Sequence, residues 1–379
     1  MGEEKARENE IFDIIKTMAP GTPLRDGLEY ILKARTGALI VVGDTNEGMN
    51  LVDGGFYINK EYSPAHIYEL AKMDGAIVLS KDIKRIIYAN AQLVPDHKIL
   101  TVETGTRHRT AERVAKQTGE LVICISQRRG VITLYKGSYR YFLRDTATIL
   151  SRANQALQTL EKYKSVLDIA LNNLSVSEFY DIVTLENVAI VVQRTEMVMR
   201  IVDEIKRYII ELGNEGRLVS MQLEELVGSA DKEGLLLIED YMFPADNRGA
   251  EDIVRQIKSL SNEELMDINL ICKALGYQGG LATSLDLNLT AKGLRIMSKL
   301  PKLPMTVIRN LVDKFINLQG VLKASIEELD DVDGIGEVRA RSIKEGLRRT
   351  FEVLNIGARS AKESDLIVDF PGYLASRRH

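Results

Sequence analysis

The chain has 379 residues, of which 45% are hydrophobic and 27% are charged. A chain of this length is too long for one ordinary hydrophobic core, so two or three domains are predicted. The formal net charge of −4 excludes a wholly basic nucleic-acid coat but allows a local basic patch. The two cysteines are far apart and one lies in an apolar run, which predicts buried thiols. The sequence has no apolar signal core and no apolar run of membrane-spanning length, which predicts a cytoplasmic protein.

Residues 1–145 alternate between helical and strand-like patterns, which predicts a mixed α/β domain with one central sheet. Pro23 can open a helix that stops before Gly37, and Ser63-Pro64 can cap and open another that runs to about Met73. A later helix is predicted from a cap at Thr106 or Thr110 to Gly119. The remaining elements are a helix carrying Ile11, Ile14, Ile15 and Met18, and strands at 38–42, after the turn at 53–56, and at 76–80, 86–94, 121–126 and 131–135.

The strand signal fades after residue 145, and apolar residues at helical spacing predict an all-α linker over 146–285. Helices are expected at 190–212 and 217–227, with a loop at 243–249. The last folded unit is predicted over 286–353, where two prolines precede a helix from Met305 to Phe315. Residues 354–379 form a polar tail to which the sequence assigns no structure.

Asp74-Gly75 is a polar interruption between a predicted helix and a predicted strand. A carboxylate in such a loop suits Mg²⁺ or Mn²⁺, which prefer oxygen ligands and keep other positions for water or phosphates. Glycine beside it permits close approach of a ligand to the backbone. A plain turn is the alternative interpretation of this pair.

A second string, Gly105-Thr106-Arg107-His108-Arg109-Thr110, lies at the start of a predicted helix. Each arginine can hold phosphate oxygens through paired N–H donors, His108 adds a donor, and the helix start offers free N–H groups. The alternative is a solvated helix start in which Glu103 and Glu112 pair with the cations. Together the two strings favour a site for a nucleotide and its metal ion.

The segments around Met73-Asp74-Gly75-Ala76 and Arg107-His108-Arg109 resemble the paired signatures of the diadenylate cyclase family. The resemblance extends over all three regions, from Pro20 to about Arg349. It implies an α/β cyclase domain with a central mixed sheet, followed by an all-α linker and a C-terminal helix-hairpin-helix domain. It also implies the condensation of two ATP into cyclic di-AMP with release of two pyrophosphates, by a nucleotidyltransferase.

Carried over position by position, the resemblance gives each motif residue a role. Asp74 would bind Mg²⁺ or Mn²⁺ and help activate the ribose 3′-hydroxyl, and Arg107, His108 and Arg109 would act with it in catalysis. The other nucleotide-binding positions implied are Gly75, Ala76, Leu93, Thr106, Thr110, Ser126, Arg128 and Arg129.

Each motif occurs once, whereas the product contains two equivalent phosphodiester bonds. We therefore expect two chains to bring their catalytic domains face to face about a two-fold axis. The family resemblance further implies a homo-octamer.

Val332-Asp333-Gly334-Ile335-Gly336 resembles the hairpin of a helix-hairpin-helix motif. Its glycines allow a backbone path that aims N–H groups at a nucleic-acid phosphate, and cations follow on the next helix. A capping turn in a helical bundle is the alternative. The residues predicted to contact DNA are Gly334, Ile335, Gly336, Arg339, Arg341 and Lys344, and residues 303–324 are interpreted as an incomplete second copy that packs structurally.

The resemblance implies that branched or recombining DNA at this module lowers cyclase output, in a cytoplasmic protein associated with the nucleoid. Two other functions are compatible with parts of the sequence. One is a non-enzymatic architectural DNA-binding protein whose first domain senses nucleotide. The other is a repair nuclease or glycosylase, which would need acids or a lysine near the hairpin, and the sequence offers no convincing set.

Overall fold

The computed structural model describes residues 12–244, 247–277 and 285–363, with side chains described up to Leu354. Contacts divide the chain into two units: the chain up to Leu157 with Glu204–Leu223, and Gln158–Asp203 with the chain from Glu224 onward. No helix in the described ranges is long and apolar enough to cross a membrane. The predictions for Ile11, residues 245–246 and residues 364–379 lie outside the described residues.

The first unit contains one mixed sheet of eight strands. Its order is β2-β5-β4-β1-β6-β7-β8, with β3 also paired to β5. Strands β1 and β4 are parallel, and the other neighbours are antiparallel. The strands are β1 Ala38–Val42, β2 Val52–Asp53, β3 Phe56–Glu61, β4 Ala76–Leu79, β5 Arg85–Leu93, β6 Leu121–Ser126, β7 Val131–Lys136 and β8 Tyr139–Leu143.

Helices cover both faces of this sheet, because successive strand residues point to opposite sides. Ala38, Ile40 and Val42 join one core with helices α1 and α3, whereas Leu39 and Val41 join a second core with helix α4. The helices are α1 Pro23–Lys33, α2 Asn46–Met49, α3 Pro64–Leu70 and α4 Thr106–Thr118. The predicted mixed α/β domain is confirmed.

Local signals place most of these elements, but α2 and β2 were not predicted. Ser63 accepts a hydrogen bond from His66 N at 3.1 Å and caps α3, as predicted. The prediction that Thr106 or Thr110 caps α4 is wrong: Gly105 is the N-cap, with extended backbone and no side chain to contribute. Strand β8 was not predicted, since its residues alternate only between exposed and half-buried positions at the sheet edge.

The second unit is mainly helical, and α5, α6 and α7 each contain residues of both units. The predicted all-α linker is confirmed apart from β9 Val183–Thr184, which pairs with β10 Asn288–Leu289. The helices are α5 Thr146–Tyr180, α6 Leu185–Leu212, α7 Arg217–Val227, α8 Ala230–Tyr241, α9 Ala250–Ser259, α10 Asn262–Leu265, α11 Ile268–Ala274, α12 Leu294–Ser298, α13 Met305–Phe315, α14 Leu318–Lys323, α15 Ile326–Asp330 and α16 Glu337–Glu363.

Helix α16 corrects the expectation that the chain has no structure past Val353, because it continues to Glu363. The helix predicted over Met305 to Phe315 has those bounds. The loop predicted at 243–249 is non-helical at its described residues. Both cysteines, Cys124 and Cys272, are buried and unpaired, as expected, and burial raises the pKa of the Cys124 thiol to about 12.

A buried polar network joins three helices of the second unit. The fully buried Arg295 on α12 donates through Nη1 to Glu233 Oε1 at 3.0 Å and through Nη2 to Ser175 Oγ at 2.9 Å and to Glu178 Oε2. Tyr241 donates to Glu178 Oε1 at 2.8 Å. These side chains satisfy charges that would be costly to bury alone, so the network fixes α5, α8 and α12 against one another.

Candidate nucleotide and nucleic-acid sites

Strand register gathers the predicted nucleotide-site residues at one edge of the sheet. The amino ends of the parallel strands β1 and β4 lie side by side, with Ile40 opposite Ile77. Antiparallel pairing brings the carboxyl ends of β6 and β5 to the same edge, with Ile125 opposite Ala38 and Ala91 opposite Ala76. Residues far apart in sequence therefore meet here.

Gly75 makes the turn between α3 and β4 possible. Its φ is +93°, in the left-handed region, and a Cβ at this position would lie 2.8 Å from Asn90 C and 2.9 Å from Ala91 O. Any side chain would therefore be strained and would collide with β5. Asp74, immediately before it, is fully exposed at the sheet edge.

Arg107 on the first turn of α4 reaches across this edge. Its Nη2 lies 3.6 Å from Asp74 Oδ1, so the carboxylate of the first motif and an arginine of the second are neighbours. The space is provided by Gly37, where a Cβ would lie 2.1 Å from Arg107 Nη1. From the sequence pattern, Gly37 lies only beyond a helix end, and no local signal indicated that it makes room for Arg107.

His108 is held by a chain of hydrogen bonds that the sequence did not reveal. Its Nδ1 lies 2.9 Å from the hydroxyl oxygen of the buried Tyr135, which donates to Glu103 Oε1 at 2.9 Å. Arg140 Nη1 lies 2.9 Å from the same carboxylate oxygen. The alternative interpretation paired Glu103 with the cations of this helix start, whereas its ion pair is with Arg140 on β8.

These bonds determine which nitrogen of His108 faces a ligand. Because the Tyr135 hydroxyl proton is directed to Glu103, Nδ1 must donate to the Tyr135 oxygen and Nε2 remains for a ligand. Burial lowers the pKa of His108, Glu103 opposes this effect, and Arg129 and Arg140 reinforce it. The neutral ring therefore presents an acceptor at Nε2, and it donates to a phosphate only when protonated.

Side chains of helix α4 also hold the segment 94–105, which leads into the motif Arg107-His108-Arg109. Arg109 Nε donates to Glu103 O at 3.0 Å, Arg113 Nε to Ile99 O at 3.0 Å and Lys116 Nζ to Leu100 O at 2.9 Å. Glu112 accepts the backbone N–H of Val102 at 3.2 Å and also the Thr101 hydroxyl. These five hydrogen bonds with side chains of α4 fix the path of this segment.

The other predicted site residues differ in what they can offer. Ala76 is only 1% exposed and packs in the core, so only its backbone could meet a nucleotide. Leu93 is half-buried at the carboxyl end of β5, beside the same edge. Ser126 Oγ accepts the Arg129 N–H at 3.2 Å, which shapes the β6–β7 turn. Thr106, Arg128 and Arg129 are exposed and Thr110 is half-buried.

A divalent metal ion has one candidate ligand at this edge. The described residues contain no group of three or more His, Cys, Asp or Glu that could hold a metal. A single exposed carboxylate such as Asp74 nevertheless suits Mg²⁺ or Mn²⁺, which keep waters and substrate phosphates in their remaining positions. The residues fit a metal ion that arrives with nucleotide phosphates.

The predicted hairpin in the second unit has the required division between buried and exposed residues. Val332 and Ile335 are 4% and 7% exposed and anchor the turn, while Gly334 and Gly336 are exposed. Gly334 has a φ of +81°. Ile335 can therefore meet DNA only through its backbone. Val338, on the helix that follows the hairpin, is 85% exposed.

Cations flank this hairpin, although they differ in accessibility. Arg339 Nη1 donates to the carbonyl oxygen of Gly334, so its guanidinium lies on the hairpin itself. Arg341 is exposed and pairs with Glu337. Lys344 is half-buried and donates to Leu322 O at 2.8 Å. In the incomplete copy, Gln319 Nε2 donates to Glu178 O and Phe179 O at 2.9 and 3.1 Å, which agrees with its predicted packing role.

Family models match all three regions of the chain. Residues 25–139 match the DisA bacterial checkpoint controller nucleotide-binding region, residues 143–283 match its linker region, and residues 317–346 match the helix-hairpin-helix motif. Proteins named DNA integrity scanning protein DisA are similar over nearly the whole chain. That of Acetivibrio thermocellus is 59% identical, covering 94% of this chain and 99% of its own, and that of Carboxydothermus hydrogenoformans is 58% identical, covering 92% and 99%.

The chain belongs to the DisA family. This confirms the predicted diadenylate cyclase class and the order of α/β domain, helical linker and helix-hairpin-helix module. It also confirms the prediction of a protein that binds nucleotide and DNA. The domain boundaries at 145, 285 and 353 stay predictions. The roles assigned to individual residues of this DisA-family chain also stay predictions.

Proposed function

We propose that the first unit condenses two ATP molecules into cyclic di-AMP and two pyrophosphates, and that the hairpin module binds DNA and controls this reaction. The proposal is supported by one observation above all. Asp74 and Arg107, from motifs on different elements, meet at 3.6 Å beside the start of α4 and the backbone turn at Gly75. A carboxylate, a guanidinium and a helix N-terminus suit a metal-bound polyphosphate.

In each half-reaction, the 3′-oxygen of one ATP would attack the α-phosphorus of the other. A new P–O bond forms, the bond from the α-phosphorus to the bridging oxygen breaks, and pyrophosphate leaves. Asp74 would hold Mg²⁺ or Mn²⁺, which when bound lowers the proton affinity of the hydroxyl and offsets phosphate charge.

Arg107, Arg109 and protonated His108 would stabilise charge on the phosphoryl oxygens and the departing pyrophosphate. Binding of the anionic phosphates would favour the protonated ring and so reverse the effect of burial on His108. The backbone beside Leu93 would contact adenine. Further phosphate and pocket contacts are proposed for Gly75, Ala76, Thr106, Thr110, Ser126, Arg128 and Arg129.

Two chains would be needed for turnover. With one copy of each motif, a single domain can bind one ATP as attacking or attacked nucleotide but cannot close both bonds. A two-fold pair of catalytic faces resolves this, and the octamer implied by the resemblance would contain such pairs. We expect product formed per chain to fall on dilution, whereas ATP binding per chain should not.

At the other end, the Gly334–Gly336 hairpin would hold a DNA phosphate through its backbone, with Arg339, Arg341 and Lys344 adding positive charge. Such contacts read backbone and shape, which suits branched or recombining DNA. Bound DNA of this kind would lower cyclase output and place the protein at the nucleoid. A cyclase rate indifferent to four-way junctions would contradict this regulation.

The test is to incubate the purified full-length protein with ATP and Mg²⁺ or Mn²⁺ and to resolve the products by chromatography. Asp74→Asn should lower cyclic di-AMP formation on the order of 10²-fold or more. Asp44→Asn is the matched control, because Asp44 is an exposed acid just beyond the other end of β1. Unchanged ATP with both metals, from protein that still binds DNA, would favour the architectural DNA-binding protein.

A further inference from the structure

A cavity of about 510 Å³ lies beside α16 in the second unit, away from the hairpin turn itself. Its apolar wall includes Phe179, Leu322 and Phe351, and its rim carries Arg341, Lys344 and Arg348. The volume is within the range of sites that take small organic ligands. The nucleotide site does not use this cavity, and the proposed hairpin site shares only Arg341 and Lys344 with it.

The apolar wall is aromatic. The Phe351 ring is half-buried and lies 5.2 Å from that of Phe179 and 5.5 Å from that of Tyr180, measured between centroids. Tilted and edge contacts of this kind hold Phe351 in place against the end of α5. A preformed aromatic surface beside a cavity is suited to a planar ring, because every nucleobase has a face that stacks on it.

The rim is positive. Three cations line the cavity against one carboxylate, Glu345. Lys344 is fixed by its bond to Leu322 O at 2.8 Å, whereas Arg341 and Arg348 are each 67% exposed and pair only with acids one turn away. Exposed pairs of this type stabilise a helix little, so a phosphate can compete for both guanidinium groups.

Helix α16 connects the hairpin to the cavity. Gly336 immediately precedes this helix, and Arg348 is about 16 Å from its start at the helical rise of 1.5 Å per residue. A nucleic-acid backbone held at the hairpin could therefore reach the rim within a few nucleotides. A peptide would not need three cations around an aromatic wall, and a metal ion or cationic ligand would be repelled.

We propose that this cavity binds an unpaired nucleotide of DNA, with its base against Phe351 and its phosphate on Arg341 and Arg348. The inference rests on the proposed DNA binding and adds a second contact to it. In a continuous duplex the bases stay stacked, and extracting one costs free energy. A gap or branch offers an unpaired base without that cost, so the cavity gives the module a preference for interrupted DNA.

The experiment compares two DNA molecules bound to the full-length protein: a continuous duplex, and the same duplex with a short single-stranded gap. We expect the gapped DNA to bind about ten-fold more tightly, the scale of one stacked base. Replacing the unpaired nucleosides by abasic sugars should remove this preference. A 2-aminopurine placed in the gap should lose fluorescence on binding.

Phe351→Leu keeps an apolar side chain but removes the ring, and Arg348→Gln removes one rim cation from the surface. Both should reduce the preference for gapped DNA while leaving duplex binding within about two-fold. Arg349→Gln is the matched control for Arg348: it is 70% exposed, also pairs with a glutamate one turn away, and does not line the cavity.

Equal preference in Arg348→Gln and Arg349→Gln, with Phe351→Leu folded and unchanged, would overturn the inference while leaving the hairpin function intact. Equal binding of gapped and continuous DNA by the wild-type protein would overturn it as well. Failure to bind either DNA would instead remove the proposed DNA binding, and the inference with it.

Discussion

Arg107 Nη2 and Asp74 Oδ1 lie 3.6 Å apart, with Asp74 fully exposed and Arg107 partly so. An exposed pair at this separation contributes little to stability, so it can separate without a large cost when a ligand arrives. Under the proposed function, the carboxylate would then serve a metal ion and the guanidinium a phosphate. The structure places the two groups side by side at this edge of the sheet.

Gly37→Ala should lower cyclic di-AMP formation by about 10²-fold, because the new Cβ would displace the Arg107 guanidinium. Gly37 does not need a left-handed backbone, so alanine changes the space and not the allowed conformation. Gly48→Ala is the control, since its Cβ would meet only ordinary contacts at 3.5 and 3.8 Å. Equal rates for both variants, measured by chromatography, would show that Arg107 tolerates the shift.

The stability of the protein should depend on pH through His108. Because burial lowers its pKa below the ordinary 6.5, the folded protein takes up this proton later than the unfolded chain as pH falls. The stability that neutral His108 contributes is therefore complete above about pH 6.5 and declines below it. Thermal unfolding followed from about pH 7.5 to 5.5 should show this decline.

His108→Asn is the matched variant for that measurement, because an amide nitrogen can replace Nδ1 in the bond to Tyr135 and cannot titrate. The difference in stability between the wild-type protein and this variant should shrink as pH falls below 6.5. A difference that stays constant over the whole range would mean that His108 titrates normally in the fold.

Arg339→Gln should weaken DNA binding at low salt and reduce the slope of log affinity against log salt by about one. The reason is that its guanidinium lies on the hairpin, bonded to the carbonyl oxygen of Gly334. Lys232→Gln on α8 removes the same charge elsewhere in the unit and should leave the slope unchanged. Identical slopes for the two variants would place the DNA phosphates away from the hairpin.

Arg295→Met should destabilise the second unit by about 3–5 kcal/mol, because the fully buried Glu178 carboxylate loses its cation, whereas Glu233 keeps Lys299. Adding Glu178→Gln should restore part of the loss. Arg309→Gln, which breaks an exposed pair with Glu239, should cost less than about 1 kcal/mol. Urea unfolding monitored by circular dichroism separates these outcomes, and equal losses would mean that burial of Arg295 carries no special penalty.

Elements marked by strong local signals could be predicted from the sequence. The buried strand Ala38–Val42, the Ser63-Pro64 helix start and the helix Met305–Phe315 each depend on residues within a few positions. Strand β8 could not, since its edge position leaves only weak alternation between exposed and half-buried residues. The cap of α4 was misassigned because a threonine is usually preferred there to the glycine that is present.

The motifs of the candidate site could be predicted from the sequence, but the residues that position their side chains could not. Asp74 and Arg107 stand out because a core would not choose them, and the fold brings them together. Gly37, Glu103 and Tyr135 support Arg107 and His108 through pairing between distant strands and helices. No periodicity or spacing records such contacts, so the sequence indicates the candidate site residues but not the residues that position them.

The segment between Leu93 and Arg107 is ordered by its bonds to α4 before any nucleotide binds. Fixing the backbone of one residue costs about 1–2 kcal/mol in conformational entropy. Here that loss is incurred during folding, so it does not subtract from affinity when the ligand arrives. Under the proposed function, Glu112, Arg113 and Lys116 would therefore strengthen nucleotide binding without touching the nucleotide.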